Sequence, residues 1–159
     1  KYGGLTVHEK ELQYFTEAFQ LAHDKFYLDA ITHFNKLIDE FPDSDLADDA
    51  LLNTGLCYYA MNQFDKSLET LKYLIQHYPE ATISALNDGN EYGKSAAKGY
   101  YLIVQCYIGL GDIEKAKTYI PIIDTYTETY VETKDGKISF SELAEQAIQT
   151  YISVNNESL

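Results

Sequence analysis

Three stretches of this 159-residue sequence hold residue types from which chemistry is built. Gly89-Asn90-Glu91-Tyr92-Gly93-Lys94-Ser95 has the glycines, lysine and hydroxyl of a phosphate-binding loop. Three residues separate the two glycines where a phosphate cradle has four, and no strand precedes them, so the expected role is a connection into a helix. Val131 to Glu142 sets Gly136, Ile138 and Glu142 where a calcium loop needs its sharp turn, apolar anchor and bidentate carboxylate. Val131 and Thr133 stand where the first two acidic ligands belong, so Asp135 and Glu142 predict weak calcium binding at most. A Lys134-Asp135-Gly136 turn into a capped helix is the plainer expectation. The acidic run Asp43, Asp45, Asp48 and Asp49 opens a helix, where carboxylates complement the positive end of the dipole and are expected to be solvated. His8, His23, His33 and His77 have no metal-ligand spacing, and no Gly-x-Ser-x-Gly nucleophile turn occurs. The sequence therefore predicts no catalytic residues, no metal, no cofactor and no enzyme activity. Cys57 and Cys106 each precede a tyrosine at a place where a small, half-buried residue is wanted, so packing is expected of them and not a disulfide.

Composition narrows the function classes further. Lysine supplies all 12 basic residues against 25 Asp and Glu, for a net charge of −13. Such a surface repels a nucleic-acid backbone or an anionic leaflet, and the absence of arginine removes the bidentate grip on phosphate. The longest uncharged apolar stretch, Gly99 to Gly111, falls short of the roughly 20 residues that a bilayer span requires. With 45% hydrophobic residues in 159, the chain is expected to form one domain over 1–159. Two cysteines are too few for a disulfide scaffold and leave the compartment open.

The elements that must position these residues show themselves through an internal repeat. Ala18, Leu21, Tyr27, Ala30, Phe34, Leu37 and Pro42 align with Gly55, Tyr58, Phe64, Ser67, Leu71, Leu74 and Pro79, each 37 positions on. A third copy, Val104, Tyr107, Ile113, Ala116, Ile120 and Ile123, follows 49 positions later, with Gly109, Gly111 and Asp112 at its turn. Hydroxyl residues followed three later by Glu, at Thr6-x-x-Glu9 and Ser139-x-x-Glu142, mark helix starts; Phe41-Pro42 and Tyr78-Pro79 mark stops. Three helical hairpins result: 7–24 with 27–41, 45–61 with 64–78, and 95–110 with 112–127, the last kinked at Pro121. A final helix over 139–153 carries Phe140, Leu143, Ala144, Ala147, Ile148 and Tyr151 on one stripe and is expected to cap the open end.

These residues resemble the tetratricopeptide repeat family, with small residues at the helix crossing, an aromatic three later, then Ala, Phe and Pro. The resemblance implies an all-α solenoid, a right-handed superhelix of three hairpins plus a C-terminal capping helix, with repeats at 11–44, 48–81 and 97–130 and an insertion at 82–96. In this family the first helix of each hairpin lines the concave surface. The resemblance thus implies a groove of Phe15, Phe19 and His23, then Leu52, Leu56 and Tyr59, then Tyr101, Gln105 and Ile108. That lining is apolar and aromatic, so the expected function is a non-enzymatic scaffold that binds a peptide or helix of a partner protein, with Phe19, Tyr59 and Tyr101 as anchors. Alternatives are a homo-oligomer built on the same surface and a weak calcium-responsive regulator using 131–142. The groove is open to a partner or filled by the protein's own side chains, the insertion or the C-terminal segment. Pro42-Asp43-Ser44 followed by Ala47 resembles a variant in bacterial proteins of outer-membrane assembly and the Tol-Pal envelope system, which implies an envelope adaptor in the periplasm.

Overall fold

The computed structural model describes residues 4–84 and 89–157; residues 85–88 of the predicted insertion lie outside the described residues. The chain runs α1 (Val7–His23), α2 (Tyr27–Glu40), α3 (Ala47–Ala60), α4 (Phe64–His77), β1 (Glu91–Tyr92), α5 (Ser95–Gly109), α6 (Ile113–Lys117), α7 (Ile120–Asp124), β2 (Tyr130–Thr133), β3 (Gly136–Ser139) and α8 (Phe140–Glu157). The fold is an α-helical repeat, and each helix packs mainly on its neighbours in sequence: α1 on α2, α2 on α3, α3 on α4, α4 on α5, with α8 closing over α5.

Local chemistry sets the ends. Thr6 and Glu9 form the reciprocal capping box, the Glu9 amide donating to Thr6 Oγ1 at 3.1 Å and the Thr6 amide to Glu9 Oε2 at 2.9 Å. The three hairpin turns are copies of one device. Lys25, Asn62 and Gly111 each take a left-handed conformation, with φ of 68°, 59° and 77°. In each turn the next residue's amide reaches back five positions, Phe26 to Leu21 O, Gln63 to Tyr58 O and Asp112 to Tyr107 O, the bond that closes a Schellman motif. The 37- and 49-residue offsets therefore hold in backbone geometry as well as in residue type.

The core is a row of clusters and not one centre. Phe15, Ala18, Ala30, Phe34, Leu37 and Cys57 fill the first. Leu52, Leu71, Leu74, Ile103 and Cys106 fill the second, and Val104, Ala116, Ile123, Phe140, Ala144 and Ile148 the third. Each cluster joins one hairpin to the next, which is how a solenoid buries its apolar faces. At Gly55 a Cβ would meet Leu71 Cδ2 at 2.8 Å, so glycine sets how closely α3 and α4 cross. Ser67, at the place that Ala30 holds in the first repeat, donates to the Gly55 carbonyl at 2.7 Å and accepts from Cys106 Sγ at 3.3 Å, linking α3, α4 and α5. Both cysteines are free and buried, in packing roles.

Two features depart from the sequence reading. The kinked helix expected over 112–127 is two short helices, α6 and α7, separated by a turn at Thr118 and Tyr119. Pro121 stands in the first turn of α7, where its missing N–H leaves no helical bond unmade. The connection after α7 and the insertion together form a small antiparallel sheet of order β1-β2-β3. In it Glu91 pairs with Val131, and Val131 with Ile138.

Candidate protein-interaction groove

The first helices of the three hairpins lie side by side, α1 against α3 and α3 against α5. On α3, positions 49, 52, 56 and 59 recur at helical spacing and form one stripe; on α5 the same stripe is 98, 101, 105 and 108. On α1, Phe19 is 38% exposed and His23 is exposed. Phe15 is buried, its ring 5.7 Å from that of Phe34 and 6.2 Å from that of Phe19. Leu52 is buried in the second cluster. These two therefore do not line a surface as the sequence reading had them: they support Phe19 and Leu56 from beneath, because an amphipathic stripe at a helix crossing sinks its innermost member into the core.

Leu56 and Tyr59 are half-buried, the Tyr59 ring set edge-on to Phe64 at 5.5 Å. Burial, then the neighbouring Cys106 and Tyr101, raises the Tyr59 hydroxyl above its ordinary range, and Tyr59 and Tyr101 both pack on the second cluster. Gln105 donates to the Tyr101 hydroxyl at 2.7 Å, fixing the head of that ring, while its body lies 5.8 Å from Phe140 of α8. Ile108 packs on the third cluster. The face is thus most open at α1, where Phe19 and His23 are exposed; on α3 and α5 its outer members are half-buried, and at α5 Phe140 of α8 lies against Tyr101.

One end of the stripes is charged, which the sequence reading missed. Asp48 is 2% and Asp49 5% exposed, so they are not a solvated first turn. Ser95, the first residue of α5, donates its hydroxyl to Asp48, and the Ser84 amide donates to Asp49 Oδ1 at 3.0 Å. Lys98 Nζ pairs with Glu91 Oε1 at 2.5 Å. Ser84 and Glu91 of the insertion are therefore held to α3 and α5 by Asp49 and Lys98, and Asp48 ties α3 to the start of α5. Beside them lies a cleft of about 750 Å³ lined by Asp43, Ser44, Asp48, Tyr78, Glu80 and Ser84 among others.

The two loops that invited phosphate and calcium are accounted for by packing. A Cβ on Gly93, whose φ is 109°, would lie 2.4 Å from Thr129 Cγ2 and 2.6 Å from the Glu128 carbonyl, so this glycine admits the neighbouring chain. The Ser95 amide already donates to Ala81 O at 2.9 Å. Residues 131–139 are a hairpin in which Val131 faces Ile138 and Thr133 faces Gly136, not a loop wrapped round a centre. Its turn is closed by Thr133, which donates to the Gly136 carbonyl at 2.7 Å and accepts from the Asp135 amide at 3.2 Å. A calcium loop over 131–142 does not form, because the ladder turns its first and last halves back on each other. Among the described residues no group of three His, Cys, Asp or Glu is gathered to hold a metal ion, and no helix is long and apolar enough to cross a membrane.

Residues 49–81 match the tetratricopeptide repeat family model. The fold is shared with the TPR2AB domain of yeast Sti1 in a pHSP90 complex, at 18% identity and a TM-score of 0.65, over 93% of this chain and 50% of that one. This chain thus spans half the length of the Sti1 fragment. It is also shared with PcrH from Pseudomonas aeruginosa, at 14% identity and a TM-score of 0.65, over 94% of this chain and 96% of that one. The Yersinia enterocolitica type III secretion chaperone SycD, solved with a peptide of the translocator YopD, matches at 15% identity and a TM-score of 0.60, over 92% and 93% of the two chains. No curated protein sequence gives a significant match.

Proposed function

We propose that the protein is a non-enzymatic interaction module that holds an apolar segment of a partner protein against the first helices of its hairpins. The observation that carries this reading is the run Phe19, Leu56, Tyr59 and Tyr101 across three adjacent helices, partly exposed above buried Phe15 and Leu52. An exposed aromatic on a rigid support binds without paying the ordering cost that a flexible surface would. The reading is supported by the fold shared with SycD and PcrH, of which SycD is solved with a YopD peptide and PcrH with the chaperone binding region of PopB. On this reading the repeats are 11–44, 48–81 and 97–130, and His23, Gln105 and Ile108 edge the groove. A periplasmic envelope adaptor is the finer form of the proposal, supported by the Pro42-Asp43-Ser44 turn alone, and fractionation of the source cell decides it.

The test is selection from a displayed peptide library against the intact chain and against Phe19→Glu. Peptides are expected to be enriched by the intact chain, to share spaced apolar residues, and to be lost on Phe19→Glu with helicity unchanged. Equal enrichment by both forms would sink the groove. Self-association through the same face is read in parallel by light scattering, where a dimer that Phe19→Glu dissociates would favour the homo-oligomer.

A further inference from the structure

The exposed apolar side chains of the groove face run along one helix and not across three. On α1, Leu12 is 36% exposed and precedes Phe19 by seven residues, two helical turns. Leu5 before the helix and Phe26 after it continue that seven-residue spacing and are exposed as well. Phe15 and Ala18 turn another side of α1 into the first core cluster, so Leu12 and Phe19 stand on a ridge held from behind.

The 37- and 49-residue offsets put Leu12, Asp49 and Lys98 at one place in three repeats, and the two charged members are already engaged. Asp49 Oδ1 accepts the Ser84 amide at 3.0 Å, and Lys98 Nζ pairs with Glu91 Oε1 at 2.5 Å. Asp49 Oδ2 is buried without a hydrogen-bond partner and offers nothing to a surface ligand. Leu56, Tyr59 and Tyr101 are half-buried. The open apolar contacts therefore lie about 10 Å apart along the axis of α1, which is the distance between residues i and i+7 of a second helix. A segment that crosses the three helices instead meets one of these two exposed anchors and misses the other.

Charge separates the candidate occupants. Glu9 and Glu11 flank Leu12 on α1, while the one lysine of that helix, Lys10, falls on the far side by helical spacing. A second copy would bring the same carboxylates and a second charge of −13 to the ridge, and the chain's own last helix, α8, is already packed on α5. A basic helix of another protein meets neither objection. We propose that the groove's occupant is an amphipathic α-helix of a partner protein that lies antiparallel along α1, with apolar residues seven apart on Leu12 and Phe19 and the lysines or arginines of its last turns beside Glu9 and Glu11. The direction suits the dipoles too: the partner's negative C-terminal end meets the positive N-terminal end of α1, and basic residues in its last turns stabilise the incoming helix itself. The part of Phe19 rests on the groove reading, whereas Leu12, the helical form and the direction go beyond it.

Fluorescence anisotropy on the full chain tests this with three labelled synthetic peptides. The first is a helix of about 18 residues with leucines seven apart and lysines confined to its last two turns. The second has the same composition with the lysines in its first two turns, and the third carries prolines that keep it extended. The first is expected to bind, the second about threefold more weakly and the third at least about tenfold more weakly. Leu12→Glu and Phe19→Glu should each weaken the first by about tenfold with helicity unchanged. Added negative charge favours a basic peptide, so that loss reports the apolar contact; if Leu12→Glu does not fold, the uncharged Leu12→Gln takes its place. An extended peptide that binds as well as the helix and is lost in Phe19→Glu but not in Leu12→Glu overturns the helix and leaves the groove reading standing. Binding of the helix that neither substitution weakens overturns both. Equal binding of the first two peptides, no binding of the first at about 1 mM, or a dimer of the free chain that Leu12→Glu dissociates each overturns the proposal.

Discussion

A buried carboxyl whose second oxygen has no partner sets the sign of a stability term. Asp49 ionises at about 7 in the folded chain against 3.8 for an ordinary Asp. The folded state therefore binds this proton more tightly, and the contribution is whole below about pH 4 and lost as pH climbs through 7. Its size is of order 4 kcal/mol at most. Asp49→Asn is expected to gain thermal stability relative to the native chain as pH goes from 5 to 8; melting curves whose separation stays constant over that range would refute it. A second residue, Lys25, holds a left-handed φ of 68° where the third turn uses Gly111. Lys25→Gly should stabilise by roughly 0.5–1 kcal/mol in urea unfolding, since glycine adopts that conformation without a Cβ clash. Part of this was legible in the sequence: the 49-residue offset puts Lys98 in register with Asp49, opposite charges at one place in two repeats, although Lys98 takes Glu91 as its ion-pair partner. What hid the burial of Asp48 and Asp49 is that their covering comes from Ser84 and Ser95, 35 and 47 positions away, which no local pattern announces.

Element by element, the hairpins were readable because each writes its own boundaries: Thr6 and Glu9 at a start, Pro42 and Pro79 after a stop, small residues where helices cross. Gly55 makes that crossing quantitative. Gly55→Ala would press a methyl into Leu71, which is fully buried, and is expected to cost about 1–3 kcal/mol, with calorimetric melting as the check. The sheet was not readable, since β1 is two residues long and finds its partner at Tyr130 and Val131, across all of α5 to α7. Pro121 misled for a related reason: proline breaks an interior turn but is at home in a first one, and the sequence does not say which turn it is in. The stripe on α8 was readable, and its contacts give it a measurable role. Phe140 is buried against Val104, Ala116 and Ile123, so Phe140→Ala should cost about 3–5 kcal/mol and loosen the α5–α8 contact before the first hairpin. Uniform loss of exchange protection along the chain would contradict that order.

At the scale of the whole molecule the governing fact is a charge of −13 carried with no arginine. The groove supplies apolar anchors and hence residence time, while the long-range field chooses which partners arrive quickly. A field of this sign draws in a basic segment and slows an acidic one, and its reach is set by salt, about 10 Å at 0.1 M and 3 Å at 1 M. The two contributions separate by experiment. For a peptide selected by the groove, the association rate should fall several-fold between 50 and 500 mM salt, with the dissociation rate nearly constant. Phe19→Glu should do the reverse: at 38% exposed, Phe19 leaves the fold intact when replaced, so the complex forms at a similar rate but dissociates at least tenfold faster. Stopped-flow mixing reads both constants, and a salt-independent association rate would show that the acidic surface serves solubility and not recognition.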